Sequence, residues 1–335
     1  MKKFVRITLI VASCLLAVGL LMGGLGLAWF WSTADRLTPE PSTELDTPVD
    51  VSQLTSLRID LSLGNVTILP VPEGGESSLK ACGYTEGELL VNQADGVLSI
   101  ESADGIRAGS LLDLGLFRID FLGRLHMGSV EPRSVTLYLP EADLQAIDIS
   151  TSVGDVEISV PLRAEMVSIA SSVGSLSLQD VQATQLNLSS NVGSTTADGF
   201  ACDILTVSVD TGDLTLRSGH ADTSASIQTN IGDTTLQDVT LHALTLRSST
   251  GDVFLEGKLR GDCTLETDFS DLTLCFADSA ENYSLDLDLD MGDLSAANAD
   301  LFRTEEGNYV NPQSDAENRI AVKVNVGGLD LSFAE

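Results

Sequence analysis

The sequence has few of the residues on which most catalytic and metal sites depend. It contains 3 histidines, aromatic residues make up 5% of the chain, and none of its 5 cysteines forms a C-x-x-C pair. His126, His220 and His242 share no metal-ligand spacing, and the chain lacks a P-loop, a dinucleotide fingerprint and a G-x-S-x-G elbow. These absences predict a protein that is not an enzyme and that binds no cofactor.

Basic residues are also scarce, with 18 Lys and Arg against 49 Asp and Glu and a net charge of −31. Lys2, Lys3 and Arg6 lie in the first 31 residues, which contain no acid, so the remainder carries 18 − 3 = 15 basic residues and a charge of −31 − 3 = −34. Such a field repels phosphate backbones, which excludes nucleic acid as a partner. Cationic partners and divalent ions stay open.

The cysteines are widely spaced, at positions 14, 82, 202, 263 and 275. A disulfide framework is typical of smaller and denser chains, so these residues are interpreted as small apolar side chains of a core. A bridge between Cys263 and Cys275 is the alternative interpretation.

The N-terminus predicts a membrane anchor. Residues 7–31 carry no charge and are long enough to cross a hydrocarbon core of about 30 Å. The basic residues among positions 1–6 predict that the N-terminus is cytoplasmic. Everything after residue 31 is then predicted to be extracellular. A lipoprotein box ending at Cys14 and a cleaved signal peptide are the alternatives. Residues 32–50 are rich in Pro, Thr, Ser and acids and predict an extended stalk.

One phrase recurs along the chain, for example as IDISTSVGDVEI (147–158), LTVSVDTGDLTL (205–216) and LTLRSSTGDVFL (244–255). An early copy, LRIDLSLGNVTI, lies at 57–68, and a degenerate copy closes the chain at 321–331. The glycines of the repeat recur at intervals of 19 or 20 residues, except where Ser270 replaces glycine; they are Gly154, Gly174, Gly193, Gly212, Gly232, Gly251 and Gly292. A period this regular predicts one structural coil per repeat.

Within a repeat the apolar residues alternate, as in Ile147, Ile149 and Val153 before the glycine and Val156 and Ile158 after it. Alternation is the period of strands, and glycine suits a tight corner between two of them. The sequence predicts an all-β fold, a single-stranded parallel β-solenoid (β-helix-like) of 19–20 residues per coil. Each strand should pair with its equivalent one coil away, so that the coils stack in sequence order about 4.8 Å apart.

Two regions depart from the repeat. The first, residues 51–146, predicts N-terminal strands that cap the solenoid. The second is a polar loop insertion near 297–318, within the repeat solenoid that residues 147–335 predict. Within the cap, SLLDLGLFRIDFLGRLHMG (110–128) is crowded with leucine and phenylalanine. This segment is interpreted as core over the open end of the solenoid, and an exposed patch is the alternative.

An aspartate follows most of the corner glycines, and stacking should align these residues in a ladder that includes Asp213, Asp233, Asp252, Asp271 and Asp293. A cation site is one interpretation of such a ladder. The other is turn chemistry, because aspartate hydrogen-bonds nearby backbone in turns. Repulsion of less than about 1 kcal/mol between neighbours in water requires no cation, so no metal site is predicted.

The strand pair at 57–68, the phrase SVTLYLPEADLQAIDISTSVGDVEI (134–158) and the Gly-Asp corners that follow resemble the β-strand-repeat putative adhesin family of bacterial envelope proteins. The resemblance covers residues 52–334 and is most specific from Tyr138-Leu139-Pro140 to Gly154-Asp155. It implies a solenoid at the cell surface, and it brings no catalytic or ligand residues. Ser175 and Ser194 in place of Asp, and Ser270 in place of Gly, are the departures from its pattern.

Together these features predict a membrane-anchored extracellular solenoid that acts as a non-catalytic adhesive, binding or scaffolding surface. Its partner would be a cell-surface or wall component, or a membrane protein. The alternative is a regulatory envelope module that senses stress or a ligand and acts through membrane partners.

Overall fold

The computed structural model describes residues 43–85, 87–103, 110–113, 117–120, 125–127, 132–305, 307–312 and 316–334. The chain divides into two compact units, a smaller one of residues 1–41 and 104–131 and a larger one of residues 42–103 and 132–335. The described residues form strands and two 3₁₀ turns, Val51–Gln53 and Ala280–Asn282. No helix among them could span a membrane. The predicted transmembrane segment at 7–31 lies outside the described residues.

The larger unit is all β. Its strands are β1 (Thr43–Pro48), β2 (Ser56–Leu61), β3 (Asn65–Pro70), β4 (Ser78–Tyr84), β5 (Leu89–Ala94), β6 (Val97–Ser102), β10 (Ser134–Leu139), β11 (Ala142–Val153), β12 (Val156–Ile158), β13 (Leu162–Val173), β14 (Leu176–Val192), β15 (Thr195–Thr211), β16 (Leu214–Ile231), β17 (Thr234–His242), β18 (Leu244–Thr250), β19 (Val253–Arg260), β20 (Asp262–Phe269), β21 (Leu272–Phe276), β22 (Tyr283–Met291), β23 (Leu294–Ala297), β24 (Phe302–Arg303), β25 (Tyr309–Val310), β26 (Asn318–Val326) and β27 (Leu329–Phe333).

Each coil consists of three strand segments. In the coil of residues 205–224, the first segment ends at Gly212, the second runs from Leu214 to a turn at Ser218, and the third leads into the next first segment at Ala225. Successive coils pair in parallel along all three segments, as β14 does with β15 and β15 with β16. The predicted parallel solenoid with a coil of 19–20 residues is confirmed.

The core fills the space between the three segments. In the same coil the inward side chains include Leu205 and Val207 from the first segment, Leu214 and Leu216 from the second and Ala221 from the third, and all are buried. Burial of an aliphatic side chain of this size contributes roughly 1.5–3 kcal/mol. Every coil adds a similar set, so the apolar interior is continuous along the stack.

The coils do not stack in sequence order at the C-terminal end, contrary to the prediction. Strand β20 pairs with β26, and β26 pairs on its other side with β22, so the last coil in the sequence lies between the two that precede it. This order separates like charges. Lys323 lies in register between Glu266 and Asp288, which would otherwise be neighbours. In addition, the Asn325 amide donates a hydrogen bond of 2.7 Å to Asp268.

The N-terminal end of the stack is also interleaved. Strands β6 and β10 pair in parallel with β2 and β3 of the first coil, and that coil pairs on its other side with β11 and β12. Antiparallel strands then cover the end. Strand β5 pairs with β6, β4 pairs with β10, and β1 pairs with β4. Arg133 fixes this arrangement, because its guanidinium is 3.2 Å from Glu88, donates to the Gly83 carbonyl and lies over the Tyr84 ring.

In the smaller unit, three short strands form an antiparallel sheet: β7 (Ser110–Asp113), β8 (Phe117–Asp120) and β9 (Leu125–Met127). The side chains of the leucine-rich segment 110–128 lie outside the described residues, so its predicted packing stays a prediction.

Candidate functional site

Except at Ser270, the first corner of each coil is built on a glycine with a positive φ and a close backbone neighbour. Gly212 has a φ of 138°, and a Cβ added to it would lie 2.3 Å from the Gly193 carbonyl oxygen of the neighbouring coil. The Gly212 N–H donates to the Ile231 carbonyl at 2.9 Å. The predicted corner glycines thus combine a left-handed backbone with close contact between coils.

In most coils, the side chain of the residue after the corner glycine joins one coil to the next. The side chain of Asp213 accepts a hydrogen bond from the Asp233 N–H, Asp233 accepts from the Asp252 N–H, and Asp252 accepts from the Asp271 N–H, at 2.9 to 3.2 Å. Asp271 accepts from the Gly328 N–H at 2.7 Å, and the chain of bonds stops there because Gly328 has no side chain. Asp293 lies beyond it in the terminal coil.

These bonds show a structural role for four of the five aspartates considered as a cation ladder. The backbone that they bond belongs to the neighbouring coil, whereas the turn-chemistry interpretation places the bond within the same turn. Serine and asparagine serve in other coils, since the Asp155 N–H donates to Asn65 and the Asp213 N–H donates to Ser194. Among the described residues, no three His, Cys, Asp or Glu side chains come together as possible metal ligands. Cation binding by the ladder stays a prediction that these contacts do not require.

Inside the same corner lies a row of buried hydroxyl groups that the repeat did not predict. The Thr229 and Thr234 hydroxyls are 3.0 Å apart and hydrogen-bonded. The hydroxyls of Ser248, Thr267 and Ser270 in the following coils are buried and have no hydrogen-bond partner in the described part of the chain. In other coils the equivalent hydroxyl has a partner, because Ser171 donates to the Gly154 carbonyl at 3.2 Å and Ser190 donates to the Gly193 carbonyl at 3.1 Å.

The residue just before each corner glycine points outward, which corrects the sequence-based assignment of Val153 to the inward face. Six of the ten exposed large apolar side chains among the described residues occupy this one position, with 45–65% of their surface exposed; they are Val153, Val173, Val192, Ile231, Phe269 and Met291. Strand register aligns them, with Thr211, Thr250 and Val326 in the remaining coils. We call this row the corner ridge.

Carboxylates flank the corner ridge on both sides. The corner aspartates lie two residues after it, and Asp210, Asp268 and Asp290 lie one residue before it. These two rows contain no Lys or Arg. The ridge therefore presents a line of apolar side chains in an anionic field, a surface that suits a partner with an apolar face bordered by cations.

The cysteines are not cross-linked in the described residues. Cys82, Cys202, Cys263 and Cys275 are free thiols, so the alternative of a bridge between Cys263 and Cys275 is wrong. Cys202 and Cys263 are buried, as predicted for small apolar core residues, whereas Cys82 and Cys275 are partly exposed. Burial raises the pKa of the Cys263 thiol to about 11 and keeps it neutral.

Comparison with known proteins identifies a sequence family and a solved structure to which the chain is similar. A family model described as Toastrack DUF4097 matches residues 115–332. No curated protein matches the chain. Among solved structures, the crystal structure of a putative cell adhesion protein from Clostridium sporogenes is similar at 13% identity, covers 88% of this chain and 100% of that chain, and has a TM-score of 0.22.

Proposed function

Because the chain belongs to the Toastrack DUF4097 family, whose model matches residues 115–332, we propose that its solenoid is a non-catalytic binding surface of the bacterial envelope. The corner ridge is the part of the surface that makes contact, and the predicted segment at 7–31 holds the solenoid at the outer face of the membrane.

The observation that carries this proposal is the alignment of exposed apolar side chains. Scattered exposed apolar residues are normal in soluble proteins, whereas an aligned row of them, here interrupted by Thr211 and Thr250, is typical of an interaction surface. Here the row follows one edge of the stack from Val153 to Met291 and is rigid, because each coil is hydrogen-bonded to the next. A rigid surface binds at a lower entropic cost than a flexible one.

The chemistry of the ridge favours a protein partner over a wall polymer. Glycan binding commonly uses aromatic rings as platforms for sugars, and Phe269 is the single aromatic residue in the row. A protein with an apolar groove and Lys or Arg at its rim would complement both the apolar side chains and the flanking carboxylates.

The experiment compares two variants of the full chain in intact cells. Ile231→Ser with Phe269→Ser removes two exposed apolar side chains of the ridge, and Leu90→Ser with Phe302→Ser removes two of similar exposure elsewhere. Protease added outside the cells first tests the orientation, and detergent-solubilised complexes are then isolated on the tagged chain. Loss of the co-purified envelope proteins from the ridge variant alone supports the proposal.

Equal retention by both variants would contradict a role for the ridge, and protection from external protease would contradict the location. Retention of a sensor or regulator by the ridge would favour the regulatory module over the adhesive one.

A further inference from the structure

A shallow, open groove lies on a different edge of the solenoid, at the third corner of the coils between residues 143 and 222. It has a volume of about 390 Å³. Its floor is a register row of small or apolar side chains: Leu144, Ala164, Ala183 and Cys202. Farther along the stack, the equivalent positions carry Ala221, Leu241 and Leu259, and all three side chains are fully buried.

The rim of the groove is acidic. Asp143, Glu165, Asp203 and Asp222 line it, against the single guanidinium of Arg163. That guanidinium is already 3.4 Å from Glu141. The floor stays uncharged, because burial, together with the charges of Asp203 and Asp222, raises the pKa of the Cys202 thiol to about 12.

We propose that this groove binds an extended Lys- or Arg-containing segment of a partner protein. Lysine and arginine bury their aliphatic stems on apolar surface and keep their charged ends at its edge. The floor of Leu144, Ala164 and Ala183 would contact the stems, and the rim carboxylates would accept charge-assisted hydrogen bonds from the charged ends.

The dimensions fit a short segment. Four floor residues in successive coils span about 14 Å at about 4.8 Å per coil, which an extended chain covers with roughly four or five residues. A second copy of this chain is a poor occupant, because the part beyond residue 31 has 49 acidic residues and its charge repels another copy. This site is separate from the corner ridge, and its variants do not alter ridge residues.

The test measures binding of a fluorescent, uncharged-ended peptide of alternating lysine and alanine to the full chain in neutral detergent. Three variants are compared with the parent chain. Asp203→Asn with Asp222→Asn removes two rim charges, and Ala183→Leu fills the floor with the side chain that the row already has at Leu144. Asp148→Asn with Asp330→Asn makes the same change of charge on other faces.

We expect the rim and floor variants each to weaken binding roughly tenfold and the control to change it less than twofold. Equal weakening by the rim variant and the control would mean non-specific attraction to an acidic protein and would overturn the proposal. Unchanged binding by Ala183→Leu would overturn the role of the floor. Spermidine competing as well as the peptide at equal concentration would overturn the assignment to a protein segment. Unchanged unfolding temperatures of the variants show that the fold is intact.

Discussion

The contact between corner glycines makes a strong prediction about stability. Replacing Gly212 with alanine would place a Cβ 2.3 Å from the carbonyl oxygen and 2.6 Å from the carbonyl carbon of Gly193, and both are backbone atoms that cannot rotate away. The neighbouring coil would have to move, which weakens the hydrogen bond between the Gly212 N–H and the Ile231 carbonyl.

The expected cost has two parts. A left-handed backbone at a residue other than glycine costs roughly 1–3 kcal/mol. Loss of the hydrogen bond between the half-buried Gly212 and Ile231 adds about 0.5–1.5 kcal/mol, so Gly212→Ala should lower the free energy of unfolding by roughly 1.5–4.5 kcal/mol.

Gly261 provides the matched control. Its φ of 71° is also left-handed, but the nearest atom to an added Cβ is the Ala243 nitrogen at 3.9 Å. Ala243, with a φ of 44°, already places an alanine in this conformation one coil away. Gly261→Ala should therefore cost only about 1 kcal/mol.

Urea unfolding of the parent chain and both variants, followed by circular dichroism, measures these differences. If Gly212→Ala cost no more than Gly261→Ala, the close contact between coils could not be the reason for the glycine repeat.

Three further predictions concern single side chains. Thr267→Val should raise the free energy of unfolding, measured by urea unfolding, by about 1 kcal/mol, because the buried Thr267 hydroxyl has no hydrogen-bond partner in the described residues. An unchanged or lower free energy of unfolding would contradict this. Lys323→Glu should lower the free energy of unfolding by about 1 kcal/mol, because Lys323 separates Glu266 from Asp288. If 1 M salt did not reduce this loss, the charges would not be its cause. Asp278→Asn should destabilise the chain at pH 7 and progressively less below pH 3.8. Burial alone would raise the pKa of Asp278, but the hydrogen bond and charge of Arg260 outweigh it and lower the pKa, so the stabilisation exists above the unfolded value and is lost as the folded group is protonated. A difference between parent and variant that did not depend on pH would contradict this account.

The regular part of the fold follows directly from the repeat. Gly154 and its equivalents recur once per coil and the apolar residues alternate, so the corners and strand segments could be predicted, and the predicted family is confirmed by the match at residues 115–332. The second corner was missed. Asp180, Gly199, Ser218 and Asp238 have positive φ there, and their spacing of about one coil was a usable signal.

The order of the terminal coils could not be read from the repeat, because every coil offers the same backbone hydrogen bonds to a neighbour. The choice depends on side chains that differ between coils. Placing Lys323 between two acids and Phe333 against Phe276, with 4.9 Å between ring centroids, favours the interleaved order.

The corner ridge was hidden from the sequence for a different reason. Val153 continues the apolar alternation of Ile147 and Ile149, which predicts that it points inward, yet the structure buries Thr151 and exposes Val153. Alternation fails at the last residue before a corner, since the backbone there already turns toward the next segment.

The central claim is that the corner ridge contacts a partner, and photo-crosslinking in living cells tests it most directly. A photoreactive residue would replace Thr211 on the ridge or, as the control, Thr206 in the same coil, which is also exposed but lies on the flat first segment. The account predicts a discrete crosslinked product from position 211 and none from position 206. Equal products from both positions, or a product from 206 alone, would contradict it.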